Sequence, residues 1–102
     1  MGWATAYIAS LQAGEIIKFR PHGHSMTGII SNGQLVTVRP ILESDILVEG
    51  DVVLCKVKGR QYLHLIKALY SKGLYLIGNN RGGTNGWTAR KNIFGLLMDV
   101  EE

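Results

Sequence analysis

Residues 51–66 read DVVLCKVKGRQYLHLI, and this segment carries the main evidence for the fold class. It contains two apolar runs, 51–57 and 62–66, whose lengths are typical of strands and short for helices. The Lys-Gly pair at residues 58–59 separates them, and such pairs are turn signals. The segment therefore predicts two neighbouring strands, with Cys55 on the first and His64 on the second.

Similar short runs occur on both sides of this segment and bring the number of strand candidates to six. The other four are residues 17–19, 35–38, 74–77 and 94–100, separated by glycine-containing turns. Connections this short exclude the crossover helices of a parallel sheet. The prediction is a mainly β domain at residues 15–102, with a half-open, curled, barrel-like antiparallel sheet.

Two segments depart from this pattern. In residues 3–13 the apolar side chains Trp3, Ala6, Tyr7 and Leu11 recur at helical spacing before Gly14, which predicts a short N-terminal helix within residues 1–14 that docks on the β domain. Residues 79–91 are polar and rich in glycine, which predicts a long functional loop. In that loop, the amides of Asn79, Asn80 and Asn85 are able to fix the backbone.

Composition excludes several classes of protein. The chain has 102 residues, 46% hydrophobic and 19% charged, which predicts one folded domain and argues against disorder. Its net charge of +3 is spread along the sequence without a basic cluster, so no nucleic-acid partner is expected. No segment approaches the roughly 20 apolar residues of a membrane span. Cys55 lies in an apolar run as a small buried residue, and the absence of a secretory signal leads us to expect a cytoplasmic protein.

Ser25 is the candidate nucleophile because it follows a predicted strand in the sequence Gly23-His24-Ser25-Met26. It needs a base within hydrogen-bond reach. His24 is the adjacent residue and points to the opposite face of an extended chain. His22 and His24 share a face and form a possible metal pair, but the spacing gives no third ligand, so neither a metal nor another cofactor is predicted.

His64 has two possible interpretations on the residues alone. It shares a face of an apolar strand with Tyr62 and Ile66, where desolvation disfavours the charged imidazole and leaves a neutral ring able to accept a proton. It could equally be a core histidine that bonds one backbone carbonyl. Lys67 is an alternative base, but it lies three residues further along the strand and so on the opposite face.

Four sequence blocks, in order, resemble the catalytic core shared by type I signal peptidases and LexA-like self-cleaving proteins. The blocks are residues 23–26 followed by 32–36, residues 50–54, residues 62–66, and residues 78–84 continuing to 90–95. The resemblance extends over about residues 16–100. It implies the half-open β fold of that family and a peptide or protein as substrate.

The resemblance also implies roles for individual residues. Ser25 falls at the nucleophile, and His64 falls at the position of the general base, where some members carry histidine in place of lysine. Thr84 matches the residue that orients the base, and Gly23 lies in the oxyanion loop, where the backbone N–H of Ser25 would bind the oxyanion. An extended substrate would lie along a strand edge near the nucleophile. The residues expected to contact it are Met26, Asn79, Asn80 and Trp87.

Departures from the family pattern leave two hypotheses. Gly28 replaces a proline, and Asn79 and Gly86 stand where acidic residues are expected, so no carboxylate is predicted beside His64. The first hypothesis is a small soluble serine peptidase without membrane anchor or DNA-binding domain, which cleaves other chains or itself, for example at Ala13–Gly14. The second is a weak or inactive member of the same fold that binds peptides or proteins.

Overall fold

Seven strands form one antiparallel sheet in this computed structural model, which describes residues 2–71 and 73–102. The elements are α1 (Thr5–Gln12), β1 (Ile17–Phe19), β2 (Leu35–Pro40), β3 (Val52–Val57), β4 (Arg60–Tyr70), β5 (Leu74–Gly78), β6 (Thr84–Ala89) and β7 (Ile93–Glu101), with a 3-10 turn at Arg90–Asn92. The strand order is β1-β2-β7-β3-β4-β5-β6. The described sheet is therefore open, with β1 and β6 at its two edges.

The central hairpin follows from the local sequence. β3 and β4 pair from Val52 opposite Leu65 to Val57 opposite Arg60. The two residues between the strands, Lys58 and Gly59, have φ angles of 51° and 80°. Positive φ at both positions is the geometry of the two-residue turn that best matches the twist of a hairpin. The prediction of a mainly β, antiparallel fold with one short helix is confirmed.

One prediction about the strands is wrong. Residues 79–91, predicted as a long loop, contain the edge strand β6, which pairs with β5. Because an edge strand has one free side and is only partly covered, its sequence lacks the apolar alternation that identifies strands. Trp87 and Thr84 are exposed, and Thr88 alone in β6 is buried.

The side chains of the sheet form two hydrophobic clusters. One cluster joins β2, β3 and β4 to the helix and includes Leu54 and Leu65. The other includes Val53, Cys55 and Ile77. Alternate residues of β3 enter different clusters because successive strand side chains point to opposite faces. This explains why β3 is an almost unbroken apolar run.

The face through which α1 packs agrees only in part with the predicted one, since Leu11 is buried and Tyr7 packs against the apolar cluster as predicted. Its buried side chains are Ile8 and Leu11, preceded by the buried Ala4, whereas Ala6 and Trp3 are exposed. Gly95 of β7 lets the helix approach, since a Cβ there would lie 2.8 Å from Leu11 Cδ1. The helix ends before Gly14 as predicted, and no helix in the described residues is long and apolar enough to cross a membrane.

Candidate active site

Ser25 and His64 meet, although 38 residues separate them in the sequence. The Ser25 hydroxyl lies 3.1 Å from His64 Nε2. Ser25 is half-buried in the segment between β1 and β2, and His64 is 9% exposed on β4, opposite Val53 of β3. The pairing of the central strands therefore holds the imidazole, and the β1–β2 connection brings the hydroxyl to it.

The other nitrogen of His64 contacts Asn85. The distance from Nδ1 to Asn85 Oδ1 is 2.7 Å. An amide oxygen only accepts hydrogen bonds, so this contact places the ring proton on Nδ1 and leaves Nε2 free to accept the proton of Ser25. The resemblance implies this orienting role for Thr84, but the described contact is made by its neighbour Asn85, and Thr84 is exposed on β6.

A β-bulge directs Asn85 towards His64. The register between β5 and β6 shifts, with Ile77 opposite Gly86 and Gly78 opposite Thr84, so that Asn85 has no partner in the ladder. Such an extra residue bends its strand and re-aims its side chain. A Cβ at Gly78 would clash with the Gly83 carbonyl and approach Lys67, which explains the glycine in the bulge. The sequence contains the asparagine but gave no signal for the bulge that directs its side chain towards His64.

The loop that carries Ser25 is fixed by glycine geometry and polar contacts. Gly23 has a φ of +116°, which favours glycine, and its N–H donates to Asn32 Oδ1 at 2.7 Å. After Ser25 the chain turns, and Met26 and Ile30 insert into the apolar cluster under the helix. Within the described residues, the backbone N–H groups of Ser25 and Met26 donate to no protein acceptor.

Asn80 connects this loop to the end of β5. Its backbone N–H donates to the Ser25 carbonyl at 2.8 Å, and its side-chain amide donates to the Thr27 carbonyl at 2.8 Å. Gly28 has a φ of +101°, a value that proline does not adopt, and a Cβ there would lie 3.0 Å from Asn80 Nδ2. Glycine at this position thus accompanies a turn held by Asn80.

Burial lowers the pKa of His64, and the hydrogen bond that His64 donates to Asn85 opposes this effect by favouring the protonated ring. Because desolvation is the larger cause, the imidazole is neutral at pH 7. A neutral imidazole with its proton on Nδ1 is the form that accepts a proton from a serine hydroxyl. The site therefore has the protonation state that base catalysis requires.

Ser25 and His64 open into a groove of about 460 Å³. The groove lies between the β1–β2 connection, the start of α1 and the first half of β4. Its lining includes Gly23 and Met26 as well as the apolar side chains Trp3, Tyr7, Phe19, Ile30 and Leu63. A volume of this size lies in the usual range of ligand sites.

One side of the groove is a free strand edge. β5 pairs with β4 only from Leu65 onward, whereas β3 pairs with β4 between Arg60 and Leu65. On the side away from β3, the Gln61 carbonyl accepts a hydrogen bond from the Trp3 indole N–H at 3.1 Å. Leu63, two residues further, directs its backbone N–H and carbonyl to this same edge.

Three residues predicted to contact substrate lie outside the groove lining. Asn79 Oδ1 accepts from the N–H groups of Arg81 and Gly83, so this side chain organises the turn between β5 and β6. Asn80 holds the Ser25 loop, as described above. Trp87 is 46% exposed and packs edge-to-face with Tyr70, with ring centroids 6.4 Å apart. Of the predicted substrate residues, Met26 alone lines the groove.

The remaining candidates for chemistry have other environments. Lys67 donates to the Asn79 carbonyl at 3.0 Å. Burial raises the pKa of the Cys55 thiol to about 12, so its nucleophilic thiolate is disfavoured. His22 and His24 are exposed, and the described residues contain no group of three or more His, Cys, Asp or Glu side chains placed to hold a metal ion.

Comparisons with protein-family models, with curated proteins and with solved structures give no match for this chain. Its function is therefore inferred from the geometry of the site.

Proposed function

We propose that this protein is a serine peptidase in which Ser25 is the nucleophile, His64 the general base and Asn85 the residue that positions the base. The observation that supports this proposal is the continuous chain of hydrogen bonds from Asn85 Oδ1 through His64 to the Ser25 hydroxyl. A serine is activated for attack by a base that is itself oriented by a third group. The hydroxyl at the end of this chain faces a groove rather than the core.

The reaction is acyl transfer in two steps. Ser25 Oγ forms a bond to the carbonyl carbon of the substrate as its proton moves to His64 Nε2. The C–N bond then breaks, and the same proton goes to the leaving amine. In the second step His64 takes a proton from water, the hydroxide attacks the acyl carbon, the C–Oγ bond breaks, and Ser25 recovers its proton.

Backbone N–H groups supply the electrostatic part of the mechanism. Those of Ser25 and Met26 have no acceptor among the described protein groups. Both lie beside the nucleophile, where the substrate carbonyl oxygen gains negative charge in the transition state. Donors placed at that oxygen commonly contribute about 10²–10³-fold in rate. Gly23 leaves room at the entrance because it has no side chain.

The substrate binds as an extended segment beside β4. The backbone N–H and carbonyl of Leu63 face the groove, and an added strand pairs with such groups independently of its sequence. His64 follows directly, so a strand in this position presents a peptide bond close to Ser25. Ala13–Gly14 does not meet this requirement, because it lies in the turn that ends α1, where the Gly14 N–H bonds the Leu11 carbonyl at 3.0 Å. Cleavage of other chains is therefore the favoured form of the activity.

A second candidate function is peptide binding without cleavage. Asn85 favours it, because an amide does not stabilise the imidazolium as a carboxylate does. In the serine-protease triad, exchange of the acid for an amide lowers kcat about 10⁴-fold, with the wrong tautomer as the main cause. Here the amide oxygen selects the productive tautomer. We therefore favour a slow peptidase over an inactive binding protein.

Labelling with a fluorophosphonate tests the proposal. This reagent has no side-chain preference and forms a stable bond to an activated serine with loss of fluoride. We expect intact-mass analysis to show one adduct, peptide mapping to place it on Ser25, and the Ser25→Ala and His64→Gln variants to give none. Heat-unfolded protein is the control for intrinsic serine reactivity. Equal labelling of native and unfolded protein, or an adduct at another serine, would refute the peptidase proposal.

A further inference from the structure

We infer that the groove selects substrates with a bulky apolar side chain on the acyl side of the scissile bond, and that Trp3 is the main determinant of this preference. The inference rests on the proposed peptidase function and adds its substrate class. Tyr62 and three further aromatic residues line the groove together with Ser25, and those three, Trp3, Tyr7 and Phe19, contact one another. They come from α1, the residues just before it, and the edge strand β1.

The three rings form one continuous wall. Tyr7 stacks on Phe19 with ring centroids 4.3 Å apart and an interplanar angle of 16°. Trp3 packs against both, at 6.3 Å from Tyr7 and 5.9 Å from Phe19. Phe19 is buried, whereas 52% of Trp3 is exposed. A substrate side chain therefore has an apolar surface to cover, and Trp3 is the member with the most area left to bury.

Trp3 is held in place by Gln61 of β4. Its indole N–H donates to the Gln61 backbone carbonyl, and the Gln61 side chain in turn accepts from the Ala4 N–H at 2.7 Å and donates to Thr5 Oγ1 at 3.0 Å. Gly2 also lies against Gln61, and a Cβ at this position would clash with the Gln61 side-chain amide. Because the Trp3 indole already bonds the Gln61 carbonyl, this carbonyl is not available to an added strand, and the free edge of β4 ends there. Trp3 therefore closes one end of the groove.

The volume of the groove and the charges that line it favour an apolar substrate side chain. The groove of about 460 Å³ is much larger than an alanine methyl group requires, so a small side chain would leave most of the wall uncovered. Among the described residues, no Asp or Glu lines it, whereas Arg20 does. A lysine or arginine side chain would therefore lose its hydration without gaining an opposite charge.

The acyl side is favoured because of the order of bond changes. After the first step the leaving amine departs, while the acyl part stays bonded to Ser25 until water attacks. Contacts on the acyl side therefore assist both steps, and contacts on the leaving side assist only the first. Met26 and Leu63, which line the groove beside Ser25 and His64, continue the apolar surface towards the aromatic wall.

The test uses N-acetyl-Ala-Ala-Xaa diphenyl phosphonates with Xaa as Phe, Ala or Lys. These probes carry only acyl-side residues and form an Oγ–P bond with loss of phenol. We expect the Phe probe to label Ser25 at least tenfold faster than the Ala probe, since contacts of this kind discriminate by about 10–200-fold. The Lys probe is expected to be slower than the Phe probe. Trp3→Ala should remove most of the Phe preference, measured as the ratio of the Phe rate to the Ala rate in the same variant.

Trp87→Ala is the matched control, because Trp87 is exposed to a similar degree (46%) but lies outside the groove. It should keep the Phe preference. A protein that is labelled by the fluorophosphonate but reacts with the Ala probe as fast as with the Phe probe would overturn the inference and leave the peptidase proposal intact. An equal Phe preference in Trp3→Ala and Trp87→Ala would likewise overturn the inference and leave the peptidase proposal intact.

A binding measurement separates the two proposals when no probe labels the protein. The Ser25→Ala variant is titrated with N-acetyl-Ala-Ala-Phe-amide and N-acetyl-Ala-Ala-Ala-amide, and the Trp3 indole N–H signal is followed by NMR. Tighter binding of the Phe peptide, with a shift at Trp3, supports the selective groove even if catalysis is absent. Equal affinities, or no shift at Trp3, would refute the inference.

Discussion

The two segments that supply Ser25 and His64 are built in different ways. His64 belongs to β4, which pairs with β3 over six residue pairs in the central hairpin. Ser25 lies in irregular chain between β1 and β2, where individual contacts made by Asn32 and Asn80 hold the backbone. The base is therefore placed by the sheet itself, whereas the nucleophile is placed by a few polar side chains.

This difference indicates where the site is vulnerable. Strand pairing distributes the positioning of His64 over many hydrogen bonds and over the apolar clusters on both faces. The Ser25 loop has few such contacts, so loss of one of them should misalign the hydroxyl while the fold persists. Proximity effects are sensitive to shifts of about 1 Å, which can lower a rate about 10²-fold.

The largest expected effect is the loss of either member of the pair. Ser25→Ala and His64→Gln should each lower peptidase activity by about 10⁴-fold or more, and the double variant should be no worse than the single ones, since the two groups act as a unit. Cleavage of the preferred peptide under single-turnover conditions measures this effect. Additive losses in the double variant would show that the two side chains act independently.

Replacement of Asn85 should have the next largest effect. Asn85→Leu removes the acceptor at Nδ1, and we expect a loss of about 10²–10⁴-fold in kcat from disordered tautomers. Asn85→Asp should instead raise the pKa of His64 and stabilise the imidazolium, so activity should rise. The pH–rate profile is the diagnostic measurement. Activity requires neutral His64, and burial lowers the pKa of this residue, so the fall of activity on the acid side of the profile, its acid limb, should lie below the ordinary histidine value of about 6.5.

In Asn85→Asp the same acid limb should move to higher pH. An unchanged acid limb would contradict the assignment of His64 as the base.

The Ser25 loop should respond to loss of the Asn80 side chain. Asn80→Ala removes the hydrogen bond to Thr27 but keeps the backbone bond to Ser25, and we expect about a 10–100-fold loss in kcat with a modest change in stability. Arg81→Ala is the control, since this neighbouring residue is exposed. Equal activities of the two variants, measured with folded protein, would show that Asn80 does not position the nucleophile.

Gly28 offers a smaller and purely conformational test. With φ at +101°, Gly28→Ala places a Cβ in a strained backbone region and 3.0 Å from Asn80 Nδ2. We expect a loss of about 1–3 kcal/mol in the free energy of unfolding, measured by urea denaturation. A similar substitution at Gly2 would not report backbone strain, because Gly2 has no positive φ. Unchanged stability of Gly28→Ala would mean that the turn readily adopts another conformation.

The smallest expected effect is the pH dependence of stability due to His64. Its pKa is lower in the folded chain than in the unfolded chain, so the unfolded state binds the proton more tightly. The contribution of neutral His64 is fully present above about pH 6.5 and is lost as the pH falls through the folded-state pKa. Urea denaturation between pH 7.5 and 5 should show this slope, and His64→Gln should reduce it. Equal slopes would contradict the burial effect.

The local sequence determined most of the strands. Apolar runs and glycine turns identified six strands, the helix stop at Gly14 and the hairpin at residues 58–59, because these features depend on side-chain periodicity and backbone freedom over a few residues. The sequence did not predict β6, because this edge strand contains few apolar residues. The predicted helix face was only partly right, because the side chains that α1 buries depend on the sheet surface beneath it.

The sequence also identified Ser25 and His64 as candidates, through a resemblance in motif order, but their 3.1 Å contact belongs to the tertiary structure. Asn85 shows the limit most clearly. Strand periodicity describes ideal ladders, and the side chain reaches His64 only because a bulge opposite Gly78 interrupts one. Trp3 reaches the groove because Gln61, 58 residues later, binds it. Local chemistry determined the elements, whereas contacts between distant segments decided which side chains share a site.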